Sequence, residues 1–214
     1  MFIITNLYQV NSWKSLMREE FKNNHRDWEE VEKDTETAVI RDGHYFMKNS
    51  SPSNWNFYKM KTALKKNQDF IIEANVQLEN HEDCFGHVGI VWGFDENNEY
   101  LNRFTLSADG KRVLVMHFEK DHRRICHRFQ NRQLPKINRK EPVRFSIIRM
   151  GDYFYFFINK IAVYTAHESM FAEYGSYVGY YIEPGLKMKS NYMEVKKISA
   201  DTMDVTTGMQ QLMN

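Results

Sequence analysis

The chain has 214 residues and a formal net charge of +1, with 42% hydrophobic and 14% aromatic residues and only 4 Pro. That composition excludes a disordered or collagen-like chain, leaves enough apolar mass for one sizeable core, and by charge alone implies no partner. No apolar run is long enough for a membrane-spanning helix, so no membrane partner is expected, and two cysteines, Cys84 and Cys126, are too few for a disulfide framework.

In chain order, residues 1–18 read as an N-terminal extension. Its opening Phe2-Ile3-Ile4 has no basic stretch ahead of it, so no export leader is read and a cytoplasmic location is expected. Ser12–Glu20 has Trp13, Leu16 and Met17 at helical spacing behind a capping serine, which predicts a short helical turn. Glu19–Trp28 is polar with two lone aromatics, a loop or short edge strand that plugs Phe21 and Trp28 into something. Asp42-Gly43 splits Thr37–Met47 into a hairpin. Trp55–Met60 reads as a strand covered on both faces. Phe70–Leu78 alternates cleanly, with Phe70, Ile72, Ala74, Val76 and Leu78 on one side, which assigns that side to the core.

Phe85–Phe94 is a strand spaced by glycines, which allow close packing or bulges. Tyr100–Ser107 and Arg112–Phe118 pair across Ala108-Asp109-Gly110-Lys111, and Arg124–Phe129 is a further short strand. The aromatic and β-branched runs Val143–Met150, Tyr153–Ile158 and Ile161–Thr165 form a meander, expected near the middle of a sheet because large side chains need cover on both faces. His167–Tyr174 reads as a helical turn and Ser176–Ile182 as a strand. Tyr192–Ile198 reads as a closing edge strand, and 200–214 as a polar tail. The total is about twelve or thirteen strands at roughly 8–12-residue spacing with no βαβ rhythm, which argues an all-β, two-sheet antiparallel sandwich.

Several of these stretches also carry a family likeness: Phe21 with Trp28, Asp69–Ala74, Phe85-Gly86 with Gly89–Phe94, Tyr100 with Arg103–Ser107, Asp152–Phe154 with Ile158–Lys160, and Val178–Tyr180. Over roughly 19–199 the chain resembles the concanavalin A-like lectin/glucanase superfamily, in its laminin-G-like and bacterial unknown-function branches. The resemblance implies a jelly roll in which two curved sheets pack together and the concave sheet or its rim binds carbohydrate. Some members of the superfamily are glucanases, some lectins and some interaction modules.

Glucanase members carry paired carboxylates along one strand, as Glu-x-Asp-x-(x)-Glu, where alternate residues share a face. A retaining glycosidase needs two carboxyl groups about 5–5.5 Å apart. Here the acids of Glu79–Asp83 and Asp95–Glu99 fall in loops and turns, and Glu168 with Glu173 has the wrong spacing for a strand. Glu29, Glu30 and Glu32 lie before the first convincing strand, so the motif is not read on any strand, and a phosphate loop and Gly-x-Ser-x-Gly are absent. His81, Cys84 and His87 have metal-like spacing that Cys126-His127 could complete, although a buried thiol beside Phe85 and histidines in a polar loop explain them equally. No cofactor is expected. Calcium, which the resemblance allows at loop rims, has Asp95 and Glu96 as candidate oxygen ligands.

The reading is therefore a non-catalytic domain that recognises carbohydrate or a glycoconjugate on its concave sheet. A protein-interaction module is the alternative and a glycoside hydrolase a further one. Candidate ligand-binding residues are Trp92, Tyr100, Arg103, His117, Tyr181 and Glu183, since sugars need an aromatic platform and a few fixed polar groups. For Trp92 and Tyr181 the competing role is core packing, and for Arg103 a solvated or salt-bridged position. Lys111–Arg149 holds twelve Lys and Arg against Glu119, Asp121 and Glu141, but Phe129 is the one aromatic among its clustered arginines, so nucleic acid is not favoured.

Overall fold

The computed structural model describes residues 13–65, 68–80, 86–94, 100–119, 122–130, 134–138, 141–171 and 176–198. Fifteen strands occur there: β1 Trp13–Glu19, β2 Val31–Lys33, β3 Glu36–Arg41, β4 His44–Asn49, β5 Asn56–Lys61, β6 Phe70–Asn80, β7 His87–Phe94, β8 Tyr100–Ser107, β9 Arg112–Glu119, β10 His122–Gln130, β11 Val143–Met150, β12 Tyr153–Ile158, β13 Ile161–His167, β14 Tyr177–Ile182 and β15 Lys187–Ile198. They form two antiparallel sheets. The larger runs β13-β12-β11-β6-β15-β4-β3-β2, with β1 also on β15; the smaller runs β10-β9-β8-β7-β14-β5. The result is the expected jelly-roll sandwich.

The core lies between the sheets, and the period of two decides its membership. Phe70, Ile72, Ala74 and Val76 of β6 face Val88, Ile90 and Trp92 of β7, with Phe104, Phe145, Phe154 and Phe156 filling the centre. At one end Phe21 and Trp28 plug in as expected. Phe21 is fully buried and stacks 5.5 Å from Tyr45, and Trp28 lies 5.6 Å from Tyr180. The loop that delivers them bends sharply, with Phe21 and Asp27 at positive φ. Buried Glu19 holds the bend by accepting from the N–H of both Glu20 and Phe21.

Three expectations change. Trp13–Glu19 is a strand, not a helical turn. A bulge between Ser15 and Met17 interrupts its alternation, and a bulged strand imitates the i, i+3, i+4 spacing of a helix. The aromatic meander β11-β12-β13 forms one edge of the larger sheet rather than its middle. Tyr192–Ile198 is not a closing edge. It belongs to β15, which runs through the sheet between β6 on one side and β4 and β1 on the other. Lysines sit in that interior strand because acids on its neighbours face them, as described below. The turn expected at His167–Tyr174 is a single 3-10 turn, Glu168–Met170.

Candidate functional site

Each sheet has an outer face, and the two differ chemically. On the smaller sheet the outer residues are the odd positions of β7, β8 and β14. The register aligns Lys59, Gly179, Val91, Arg103 and Met116 in one row across β5, β14, β7, β8 and β9, and Tyr181, Gly89, Thr105 and Leu114 in the next. Glycine is required in the middle of these rows. A Cβ on Gly89 would stand 2.2 Å from the Phe104 carbonyl oxygen, and one on Gly179 2.0 Å from that of Tyr58. The bare backbone leaves a trough, and the side chains of Tyr181 and Arg103 lie in it.

Rings converge over this trough. Trp55 lies 5.6 Å from both Phe57 and Tyr181 and 5.8 Å from Phe118. Trp55 precedes β5 and Phe118 belongs to β9, with three strands between them. A flat sheet would hold those backbones about 19 Å apart at the usual strand spacing. Ring contact therefore requires the sheet to curl toward its outer side, which makes this the concave face.

Beneath the rings is a polar cluster. The Arg103 guanidinium lies 4.4 Å from the Tyr181 ring centroid and 5.3 Å from that of Phe118. It donates to the Met116 sulfur and stands 3.5 Å from Glu183 Oε1. The Tyr181 hydroxyl donates to Glu183 Oε1 at 3.0 Å, and the His87 backbone N–H donates to Oε2 at 2.9 Å, with His87 Nδ1 3.1 Å from the same oxygen. Burial alone would raise the Glu183 pKa, but the His87 hydrogen bond and charge, then Arg103 and Tyr181, hold it below the ordinary glutamate value. Burial pushes the Tyr181 phenol well up, so it stays a hydrogen-bond donor at neutral pH.

Three of the six sequence candidates, Arg103, Tyr181 and Glu183, thus converge on one face. Tyr181 and Arg103 are 1% and 6% exposed, so they support the surface from below rather than project from it. The other three lie elsewhere. Trp92 is a core residue, packed against Phe154, Phe156 and Phe171, because its parity on β7 points it between the sheets. His117 is buried on the inner side, with Nδ1 2.7 Å from Asn102 Oδ1. Tyr100 is half-buried at the opposite parity to Arg103, separated from it by the alternation of β8. Sequence reading missed Trp55, Phe57, Phe118 and Tyr177. Their proximity depends on the curl, although the alternation of Trp55 and Phe57 was a signal that they share a face.

Asp95, Glu96, His81 and Cys84 lie outside the described residues. His87, the described member of the metal-like spacing, is instead occupied with Glu183. Among the described residues no group of three His, Cys, Asp or Glu could hold a metal ion.

The outer face of the larger sheet carries a different arrangement. Glu73 on β6 sits directly opposite Glu194 on β15, and both are buried. Arg144 Nη2 donates to Glu73 at 2.7 Å, the Ser146 hydroxyl also reaches Glu73, and Lys196 Nζ lies 3.5 Å from Glu73 and 2.8 Å from Glu194. The Tyr192 hydroxyl donates to Glu194 at 2.6 Å. Burial raises the Glu194 pKa, but the hydrogen bonds from Lys196 and Tyr192 outweigh it and keep the carboxyl below its ordinary value. This is a pair of carboxylates that no single-strand motif reveals. Arg144, Ser146, Lys196 and Tyr192 engage the pair as one ion network.

No family model matches the sequence, and no curated protein matches it. Solved structures do resemble it. The CBM2 module of the evolved Dit protein of Lactobacillus casei BL23 phage J-1 is 10% identical, with 88% of this chain and 97% of that one covered at a TM-score of 0.61. The catalytic domain of an endo-1,3-beta-glucanase (laminarinase) from Thermotoga petrophila is 8% identical, covering 87% and 98% at 0.61. A Bacillus subtilis protein of unknown function with a galectin-like fold is 13% identical, covering 87% and 99% at 0.59. At these identities the likeness establishes the fold alone, a two-sheet antiparallel jelly-roll sandwich.

Proposed function

We propose that the protein is a carbohydrate-binding domain without hydrolytic activity, and that its ligand lies on the concave face of the smaller sheet. The observation that carries this is the cluster of half-buried rings, Trp55, Phe57, Tyr177 and Phe118, set over the Arg103–Tyr181–Glu183–His87 network. Rings supply flat apolar surface for the C–H faces of a sugar, and a fixed carboxylate beside them accepts from hydroxyls. The fold neighbours support the reading, since they include a CBM2 module and an endo-1,3-beta-glucanase. The non-catalytic half rests on Glu183. Its oxygens are engaged by His87, Tyr181 and Arg103, which suits a fixed acceptor better than a nucleophile, while a double-displacement hydrolase needs two carboxyl groups about 5–5.5 Å apart.

The test is titration with laminarin and a panel of other polysaccharides, with and without calcium, read by tryptophan fluorescence and by release of reducing ends. Saturable binding that Trp55→Ala abolishes while the variant stays folded is the expected result, with no reducing ends formed. Binding that survives Trp55→Ala, or no binding at all, overturns the site and leaves a protein partner as the reading. Reducing ends released by the wild type and not by Glu183→Gln would overturn the non-catalytic half.

A further inference from the structure

A cleft of about 520 Å³ opens on the outer face of the larger sheet, on the opposite side of the sandwich from the concave face. Its size falls within the range of small-molecule sites. Asn75 of β6, Arg144 of β11 and Tyr192 of β15 form its floor, side by side in register. One wall is Glu20 and Lys22, held in place by the buried Phe21 between them. The other is the Gly43-His44 turn of the β3–β4 hairpin.

The backbone is re-aimed at this cleft. In β15 both Ser190 and Met193 point inward, Ser190 toward the Tyr180 hydroxyl and Met193 into the core. A regular strand cannot place residues three apart on one face. The register shift between Lys189 and Tyr192 absorbs the extra residue and turns both Asn191 and Tyr192 outward, into the cleft. Asn75 Nδ2 then donates to Asn191 Oδ1 at 3.2 Å. An amide pair joined by one such bond keeps a free carbonyl oxygen on the donor amide and a free NH2 group on the acceptor, with one further N–H on the donor, so the pair can still both accept and donate.

The charges that line the cleft already have partners. Lys22 stands 2.7 Å from Glu20, Arg18 2.8 Å from the same carboxylate, and Arg144 2.7 Å from buried Glu73. A charged ligand would gain little here, because its counter-charge is already matched. A neutral ligand with adjacent hydroxyls fits, since each hydroxyl both donates and accepts. We propose that this cleft is a second binding site, for a neutral sugar recognised through a vicinal diol by the Asn75–Asn191 amide pair. The protein would then present sugar sites on opposite faces of the sandwich. Nothing in this inference uses Trp55 or Arg103, so it stands or falls separately from the concave-face reading.

The test is an amide NMR titration of the full chain with three neutral probes, laminaritetraose, cellotetraose and maltotetraose, and with a sulfated disaccharide as the anionic control. At least one neutral probe is expected to shift the side-chain amide signals of Asn75 and Asn191. The shifts should persist in Trp55→Ala and weaken at least about tenfold in affinity in Asn75→Ala/Asn191→Ala. The same spectra report whether each variant is folded, and Asn191→Ala alone, at an exposed position, serves if the double variant is not. No shift with any neutral probe overturns the proposal, as does a shift that the asparagine variants leave unchanged. A response to the sulfated control alone also overturns it, by showing an anion site.

Discussion

The two outer faces of this sandwich solve the same problem by opposite means. Both bury polar groups on a side of a sheet that normally meets water. The larger sheet does so with an ion network, in which Glu73 and Glu194 stand opposite one another and are held by Arg144, Lys196 and Tyr192. Like charges directly opposite destabilise a strand pair, so the bridging Lys196 is what makes the pairing tolerable. The smaller sheet does so with rings. There Arg103 is packed against Tyr181 and Phe118, with Glu183 as its counter-charge. An ion network depends on every member, whereas an arginine between aromatic faces can be replaced by an apolar side chain at smaller cost.

The largest expected effect tests that asymmetry on the larger sheet. Glu73→Leu removes the shared acceptor of Arg144 and Lys196 and leaves Arg144 without its buried counter-charge; it should cost about 3 kcal/mol, read as a lower urea midpoint at unchanged slope. Arg103→Leu on the smaller sheet should cost only about 1 kcal/mol, because leucine keeps contact with Tyr181 and Phe118. Equal losses would break the comparison. The smallest effect is in acid. Glu183 and Glu194 sit one on each face, and both carboxyls are held below the ordinary value of 4.5. A depressed carboxylate stabilises the fold above its unfolded pKa and loses that contribution as pH falls through the folded one. Stability should therefore decline as pH drops below the ordinary glutamate range. Glu183→Gln and Glu194→Gln should each flatten part of that decline in a series of urea melts, and a decline identical in both variants would sink the assignment.

Much of the architecture was legible because a strand writes its environment into every second residue. Phe70, Ile72, Ala74 and Val76 declare the core face of β6, and Asp42-Gly43 and Ala108-Asp109-Gly110-Lys111 declare their turns. The sequence misled where a bulge or a pair of charges broke that period. In β1 the bulge imitated a helix, and in β15 Lys196-Lys197 made an interior strand read as an edge. Of the candidate site, Arg103, Tyr181 and Glu183 were legible as polar or aromatic groups in strands. Trp92 was misplaced because an aromatic beside glycines reads the same whether it faces core or ligand.

The sequence by itself determined the all-β class and the alternation that builds the core, because each of these is a local pattern of side chains along one strand. Only the tertiary structure decided which strands lie side by side. That brought Trp55 to Phe118 across the curled sheet, set Glu73 opposite Glu194 over a sequence separation of more than a hundred residues, and joined Asn75 to Asn191 in one cleft. Such neighbours are fixed by register and curvature, which depend on every strand at once and leave no mark on the residues that meet.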